Sequence, residues 1–308
     1  MLFAIPARTV KLAVLSRSRG IPSTKRLVDE AQALGHTVRV LNPSAVSVFL
    51  GQKPSLLYKG RKVRVPEVVI PRIASSIASY GLSIVDQFAA HGALVLNSAR
   101  AIGLSRNPAR CLQRLASAGL PIPSTVMSRD VSELQSMVER LGGVPVLVKL
   151  LAGSERRGVM LCESRQSLEA ALEAVLGLGH NIVMQEYVRE AQRDVRVFVV
   201  GGKALASVSR RPRAGRLARS LFRSAELEPC TLSDSLRHAA ETAAKLLELE
   251  VCAVDLLELR SGAEARPFEI NASPAIPDME QATGVNLARA IVQHAEARLK
   301  LQLEAGHT

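Results

Sequence analysis

"RPFEINASP", residues 266–274, reads as a short β-strand that runs into a proline, with Glu269 and Asn271 two positions apart in it. Side chains two apart on a strand point to the same face. The strand before it, "VCAVDLLEL" at residues 251–259, sets Asp255 in the middle of an otherwise apolar run. If the two strands are neighbours, a carboxylate, a second carboxylate and an amide carbonyl converge. Hard oxygen donors of this kind suit magnesium, which keeps several waters and shares ligands with substrate phosphates. A carboxylate buried alone in a strand is costly. Ion pairs from Asp255 and Glu269 to the abundant arginines are therefore the alternative to metal binding.

The rest of the chain sets the frame for these two strands. It has 308 residues, 47% of them hydrophobic, which is enough for a full core in one large domain or two. Runs such as "PVLVKLL" are too short to cross a membrane. The start is read as a short tail before a first buried strand at Leu12–Leu15, not as a signal peptide. Cys111, Cys162, Cys230 and Cys252 are too scattered to chelate, as are the six histidines. Free thiols in a reducing cytoplasm are expected, and a zinc site is not. The formal charge is +12 and aromatics are 3%. Such a balance attracts small anions or acidic peptides and disfavours single-strand binding by base stacking.

The first hundred residues alternate short strands with helices of about a dozen residues, the pattern of a parallel sheet with right-handed crossovers. Strands are expected at "KLAVLS", "HTVRVLNP", "PEVVIPRI" and "ALVLNS". Helices are expected at "STKRLVDEAQALG", with Ser23 as N-cap and Gly35 as stop, and at "YGLSIVDQFAAHG". No G-x-G-x-x-G follows the first strand, so dinucleotide binding is not supported. A helix near 107–119 and another at "SELQSMVERLG" come next. Beyond them the pattern changes to hairpins mixed with helices. "DVRVFVVGGKALASVSR" is a hairpin turning at Gly201-Gly202, and a terminal helix starts near Asn286. The fold class expected is α/β followed by α+β, with a doubly wound parallel-sheet domain first.

"AVDLLEL…PFEINASP" resembles the metal-binding end of the ATP-grasp superfamily, in which an Asp and a Glu-x-Asn hold two magnesium ions. Within it, "YKGRKV", "VIPRI", "YGLSIVDQF", "LVKLLAGS", "QEYVREA", "DVRVFVVG" and "EINASP…TG" resemble the RimK group of α-L-glutamate ligases. The resemblance covers nearly the whole chain. It implies a doubly wound domain over 1–98, a first ATP-grasp lobe with lid and hinge over 99–187, and a second lobe with the metal and substrate site over 188–308. Two magnesium (or manganese) ions would be held by Asp255, Glu269 and Asn271. ATP would be held by Lys149, by the hinge residues Glu186, Tyr187 and Val188, by Asp194, and by Arg219 and Ser220. Arg196, Arg211 and Arg223 would stabilise charge during catalysis.

The reaction implied is carboxylate activation by ATP through an acylphosphate, followed by attack of an amine. Glutamate is the incoming amino acid, and the acceptor is an acidic chain end, either a small-subunit ribosomal protein or an oligoglutamate. No membrane partner is implied, the location is cytoplasmic, and dimers or tetramers are common in the group.

Three stretches depart from the family pattern. The glycine-rich lid reads "GSERRGV", with Arg156 and Arg157 between Gly153 and Gly158. An Asp-Lys pair that opens a helix in relatives is replaced by Asn107 and Pro108, leaving Arg106 or Arg110 as stand-ins for the lysine. The loop "SRRPRAGRLARSLFRSA" places Ala218, Arg219 and Ser220 where relatives carry Arg-Ser-Asn. Its six arginines make either a solvated basic loop or a clamp for an anion. These changes raise the alternative of an impaired homologue that binds nucleotide or an acidic partner without turnover.

Overall fold

The computed structural model describes residues 8–150, 159–177, 179, 181–211, 226–260 and 264–305. The N-terminal unit comprises β1 (Lys11–Leu15), α1 (Pro22–Ala33), β2 (Thr37–Leu41), β3 (Val46–Phe49), β4 (Ser55–Tyr58), β5 (Arg61–Lys62), β6 (Val68–Pro71), α2 (Ala78–Ala90) and β7 (Leu94–Val95). β2-β1-β6-β7 form a parallel sheet in that order. Its strands are apolar on both faces because both are covered. Leu12 and Val14 face α1, while Ala13 and Leu15 face the Ile84, Val85 and Phe88 side of α2.

One local expectation fails here, and one element goes beyond the expected set. Ser23 does not cap α1: the N-cap is Ile21, without a side-chain bond, and the Ser23 hydroxyl instead accepts the Ile276 N–H at 3.0 Å. Pro22 opens the helix at a position where the missing N–H costs nothing, which frees the serine for that distant contact. The segment between β2 and β6 forms a three-stranded antiparallel sheet, β3-β4-β5, that the alternating pattern did not reveal. Gly35 does end α1, at φ 82°.

α3 (Ala99–Arg106) and α4 (Pro108–Ser117) lead to β8 (Thr125–Ser128), α5 (Leu134–Arg140), β9 (Val146–Leu150), β10 (Val159–Cys162), α6 (Arg165–Gly177) and β11 (Ile182–Glu186). The antiparallel sheet runs β10-β9-β11-β8, with α6 packed through Leu168, Leu172 and Val175 onto Val146, Val148 and Met184. The last part is β12 (Ala191–Val200), β13 (Lys203–Arg211), β14 (Glu226–Pro229), α7 (Asp234–Leu246), β15 (Val251–Leu259), β16 (Ala265–Asn271), α8 (Pro277–Thr283) and α9 (Leu287–Ala305). Its sheet is antiparallel in the order β14-β13-β12-β15-β16. The β12–β13 hairpin turns through Gly201 and Gly202 at φ 59° and 75°, values that glycine adopts without penalty.

The period-2 alternation of β12 and β15 divides this sheet. Val195, Val197, Val254 and Leu256 face α7 with Ile270. On the opposite face, Phe198, Val200, Ala206 and Val208 pack with α9 and with Leu27 and Val28 of α1. Each of these side chains larger than alanine gains roughly 1.5–3 kcal/mol from burial. Asn97 ties the units together. Its amide donates to the carbonyls of Val251 (2.7 Å) and Ala272 (3.1 Å), and its oxygen accepts the N–H groups of Glu250 and Val251. Among the described residues no helix is long and apolar enough to cross a membrane.

Candidate functional site

On the face of the β12–β16 sheet that packs with α9 and α1, the apolar side chains of β12 give way to charged ones at Arg196. Arg196 lies two residues before the buried Phe198 on the same face of β12. Register puts Arg196 opposite Asp255, Asp255 opposite Glu269, Ala253 opposite Asn271, and Asp194 opposite Arg210. Directly opposed residues share a face. Asp194, Arg196, Arg210, Asp255, Glu269 and Asn271 therefore line one surface. Between Asp255 and Leu256 the register shifts, leaving Phe268 as an extra residue on β16. A bulge of this kind re-aims the side chains beside it.

Asp255 is 1% exposed. Arg196 grips it bidentately, Nε to Oδ1 at 2.7 Å and Nη2 to Oδ2 at 2.8 Å, and Arg210 Nη1 adds a bond to Oδ2 at 3.1 Å. Arg210 Nη2 also donates to Asp194 Oδ1 at 2.6 Å. Burial opposes the charge on Arg196, but Asp255, Glu269 and Asp194 outweigh it and raise its pKa. Burial, helped by the Asp255 charge, pushes Asp194 up to about 6 against the pull of Arg210 and Arg196.

Lys149 joins this surface from the neighbouring sheet. Its ammonium donates to Gln185 Oε1 at 2.7 Å and sits 5.6 Å from the centre of the Phe268 ring. Burial lowers its pKa to about 8, while Glu269 and Asp255 resist that shift. Gln185 is buried and donates in turn to Thr125 Oγ1 at 2.9 Å. Gln185 is a site residue that the expected set, with Glu186 beside it, does not contain. The signal that could have found it is an amide inside the apolar run "NIVMQE".

The hinge residues follow β11. Glu186, expected to meet nucleotide hydrogens, pairs with Arg266 of β16 at 3.1 Å. Tyr187 is 42% exposed and Val188 half-buried. Asn107 caps α4 by accepting the Arg110 N–H at 3.1 Å. Arg106, one of the two stand-ins for the lost lysine, turns instead to the N-terminal unit and donates to the Ile73 carbonyl. Arg219, Ser220 and Arg223 lie outside the described residues, as does the lid stretch 151–158, and only the main chain of Arg211 is described.

The donor set of Asp255, Glu269 and Asn271 fits a hard divalent cation, and the register brings the three together. A carboxylate offers about four lone-pair positions, and three guanidinium bonds use most of those on Asp255. Glu269 and Asn271 are half-buried and would carry more of the coordination. Asn271 Oδ1 already accepts the Ser273 N–H at 2.8 Å, which fixes the amide on the site face. Among the described residues no group of three or more His, Cys, Asp or Glu could hold a metal ion, and this site offers two carboxylates and one amide.

Comparison with known proteins identifies the family. A RimK PreATP-grasp domain model matches residues 10–102 and a RimK-like ATP-grasp domain model matches 105–295. A probable alpha-L-glutamate ligase of Thioalkalivibrio sulfidiphilus is 38% identical over 93% of this chain and 95% of its own length. A protein of the same description from Methanococcoides burtonii is 37% identical with the same coverage. In fold, the chain resembles the ATP-grasp ligase PsnB solved with a minimal precursor, Mg and ADP, at TM-score 0.73 and 20% identity over 94% of this chain and 98% of that one.

Proposed function

Because the chain belongs to the RimK-like ATP-grasp family, we propose that it is an ATP- and magnesium-dependent carboxylate–amine ligase of the α-L-glutamate ligase type. It joins L-glutamate to an acidic chain end, either the C-terminus of a small-subunit ribosomal protein or an oligoglutamate. The observation that carries this reading is the single surface holding Asp255, Glu269 and Asn271 on adjoining strands, with the Lys149 ammonium arriving from the other sheet. The +12 charge favours an acidic acceptor.

In this reading an acceptor carboxylate oxygen attacks the γ-phosphorus of ATP, the bond to the β–γ bridging oxygen breaks, and ADP leaves an acylphosphate behind. The glutamate amine then attacks the acyl carbon, the carbon–oxygen bond to phosphate breaks, and the nitrogen loses a proton to solvent. Magnesium, when bound by Glu269, Asn271 and Asp255, supplies charge neutralisation at the phosphate oxygens. Lys149 balances phosphate charge. Glu186, Tyr187 and Val188 bracket the nucleotide base and ribose, and Asp194, Arg219 and Ser220 complete the nucleotide contacts. Arg196, Arg211 and Arg223 orient the transferred group and stabilise the charge that spreads over it. No protein nucleophile is needed.

The three guanidinium bonds on Asp255 support one second reading, a homologue that binds nucleotide or an acidic partner without turnover. One assay separates the two. With ATP, magnesium, L-glutamate and an oligoglutamate acceptor, the ligase releases ADP and lengthens the acceptor by glutamyl masses. Glu269→Gln lowers the rate at least a hundredfold. ATP binding without ADP release across several acceptors would establish the second reading instead.

A further inference from the structure

Two arginines at the carboxyl end of the N-terminal sheet are spent on bonds that do not call for a charge. Arg72, just past β6, donates through Nη1 to the Pro274 carbonyl at 2.8 Å. Arg106, at the end of α3, donates through Nη2 to the Ile73 carbonyl, next to Arg72 in the chain. Among the described residues neither makes an ion pair. Burial pulls the pKa of Arg72 down to about 10 and lowers that of Arg106, with no carboxylate opposing it in either case. A guanidinium has five N–H donors, so one carbonyl each leaves most of them unused. Arg106 Nη1 is buried without a partner, and so is the hydroxyl of Ser273, the residue before Pro274.

A half-buried cation serving only a carbonyl carries part of a desolvation cost that a neutral donor would avoid. Both sites recover that cost when an anion completes the fork. The place fits a ligand: crevices at the carboxyl ends of parallel strands are where open α/β sheets bind theirs. It also adjoins the metal-bearing strand, because Pro274 lies three residues after Asn271 and Asn271 holds the Ser273 N–H.

We infer that Arg72 and Arg106, with the Ser273 hydroxyl, clamp a carboxylate of the incoming dicarboxylic amino acid. This rests on the ligase reading for the identity of the ligand, not for the existence of the clamp. Two cations without an acid among them prefer a substrate that carries one more negative charge. The planar fork of arginine matches a carboxylate bidentately.

The test is titration calorimetry of the full chain with L-glutamate in the presence of ADP and magnesium. It is repeated with L-glutamine, which lacks the side-chain carboxylate, and with L-isoglutamine, which lacks the α-carboxylate. Arg72→Met and Arg106→Met each weaken glutamate binding at least about tenfold, within the range for truncating one partner of a desolvated charge pair, and leave ADP affinity unchanged. In the wild type at least one of the two amides binds at least about tenfold more weakly than glutamate, and which one tells which carboxylate is held. Arg72→Lys and Arg106→Lys keep a donor for each carbonyl but lose the fork, so they replace any methionine variant that does not fold and show the same selective loss. Equal glutamate affinity in wild type and variants overturns the clamp, and so does a wild type that binds both amides as well as glutamate or does not bind glutamate at all. Glutamate binding that is lost in the variants of a protein that never releases ADP sustains the clamp and removes the ligase reading instead.

Discussion

Lys149 sits near the point where its charge is in balance. Burial holds its pKa at about 8 despite Glu269 and Asp255. Folding therefore disfavours its charged form, and this one group makes the protein more stable as pH rises from about 8 to the ordinary lysine value of 10.5. A phosphate arriving nearby works in the opposite direction, because an adjacent anion favours the ammonium. Nucleotide binding should then take up a proton near pH 8 and weaken as pH climbs past it. Calorimetry of ATP binding in buffers of different ionisation enthalpy reads that uptake, and Lys149→Met should abolish it and weaken binding about tenfold or more. Arg196 is the other decisive residue. It supplies two of the three guanidinium bonds on the buried Asp255, and removing one member of a buried pair costs about 3–5 kcal/mol. Urea denaturation of Arg196→Met without metal should show a loss of that size. An unchanged midpoint would mean that Asp255 reaches solvent or another cation.

At the scale of elements, the β12–β13 hairpin is the piece most exposed to a single substitution. Gly201 turns at φ 59°, and a Cβ there would lie 2.6 Å from His294 Nδ1 on α9. His294 is fixed by Glu250, which also accepts from Arg298, so the ring has little room to yield. Gly202 turns at φ 75° with nothing within 4 Å of the same added atom. A left-handed non-glycine residue costs about 1–2 kcal/mol. Gly202→Ala should lose about that much stability and Gly201→Ala clearly more, as read by paired denaturation curves. Equal losses would show that the helix shifts aside freely. This turn was legible in the sequence because two glycines between alternating strands have few other uses. Asp255 and Glu269-x-Asn271 were legible because period two shows in a string of letters. The partner of Ser23, the carbonyls held by Arg72 and Arg106, and the four bonds of Asn97 were not. Each depends on a contact between residues far apart in sequence, which leaves no local period. The β3-β4-β5 sheet was missed for a different reason, since its strands are short and flanked by turn residues that read as a loop.

At the scale of the molecule, the N-terminal unit is not an independent module. One face of its sheet and the apolar side of α1 share a core with α9 and with Phe198 and Val208 of the last sheet. Arg26 on α1 donates to Glu280 on α8 at 2.6 Å, and Glu280 in turn accepts the Ala288 N–H at 2.9 Å. Glu280 is the chief cause of the raised pKa of Arg26. Functionally, this joint holds the loop from Asn271 to Ile276 against the carboxyl end of the parallel sheet, where Arg72 and Ser23 also grip it. A core shared across units makes their unfolding cooperative, so the two should melt together. In a Tyr187→Phe background the two remaining tyrosines, Tyr58 and Tyr80, report on the N-terminal unit, and the chain has no tryptophan to mask them. Near-ultraviolet dichroism of these tyrosines and far-ultraviolet dichroism of the whole chain should give coincident urea transitions. Glu280→Gln should lower the shared midpoint by a loss of about 1–2 kcal/mol, because the pair is only partly buried and Glu30 remains to hold Arg26. Two separated transitions, with only the tyrosine signal moved by Glu280→Gln, would show that the N-terminal unit folds on its own and that the loop beside the site is held by the second unit alone.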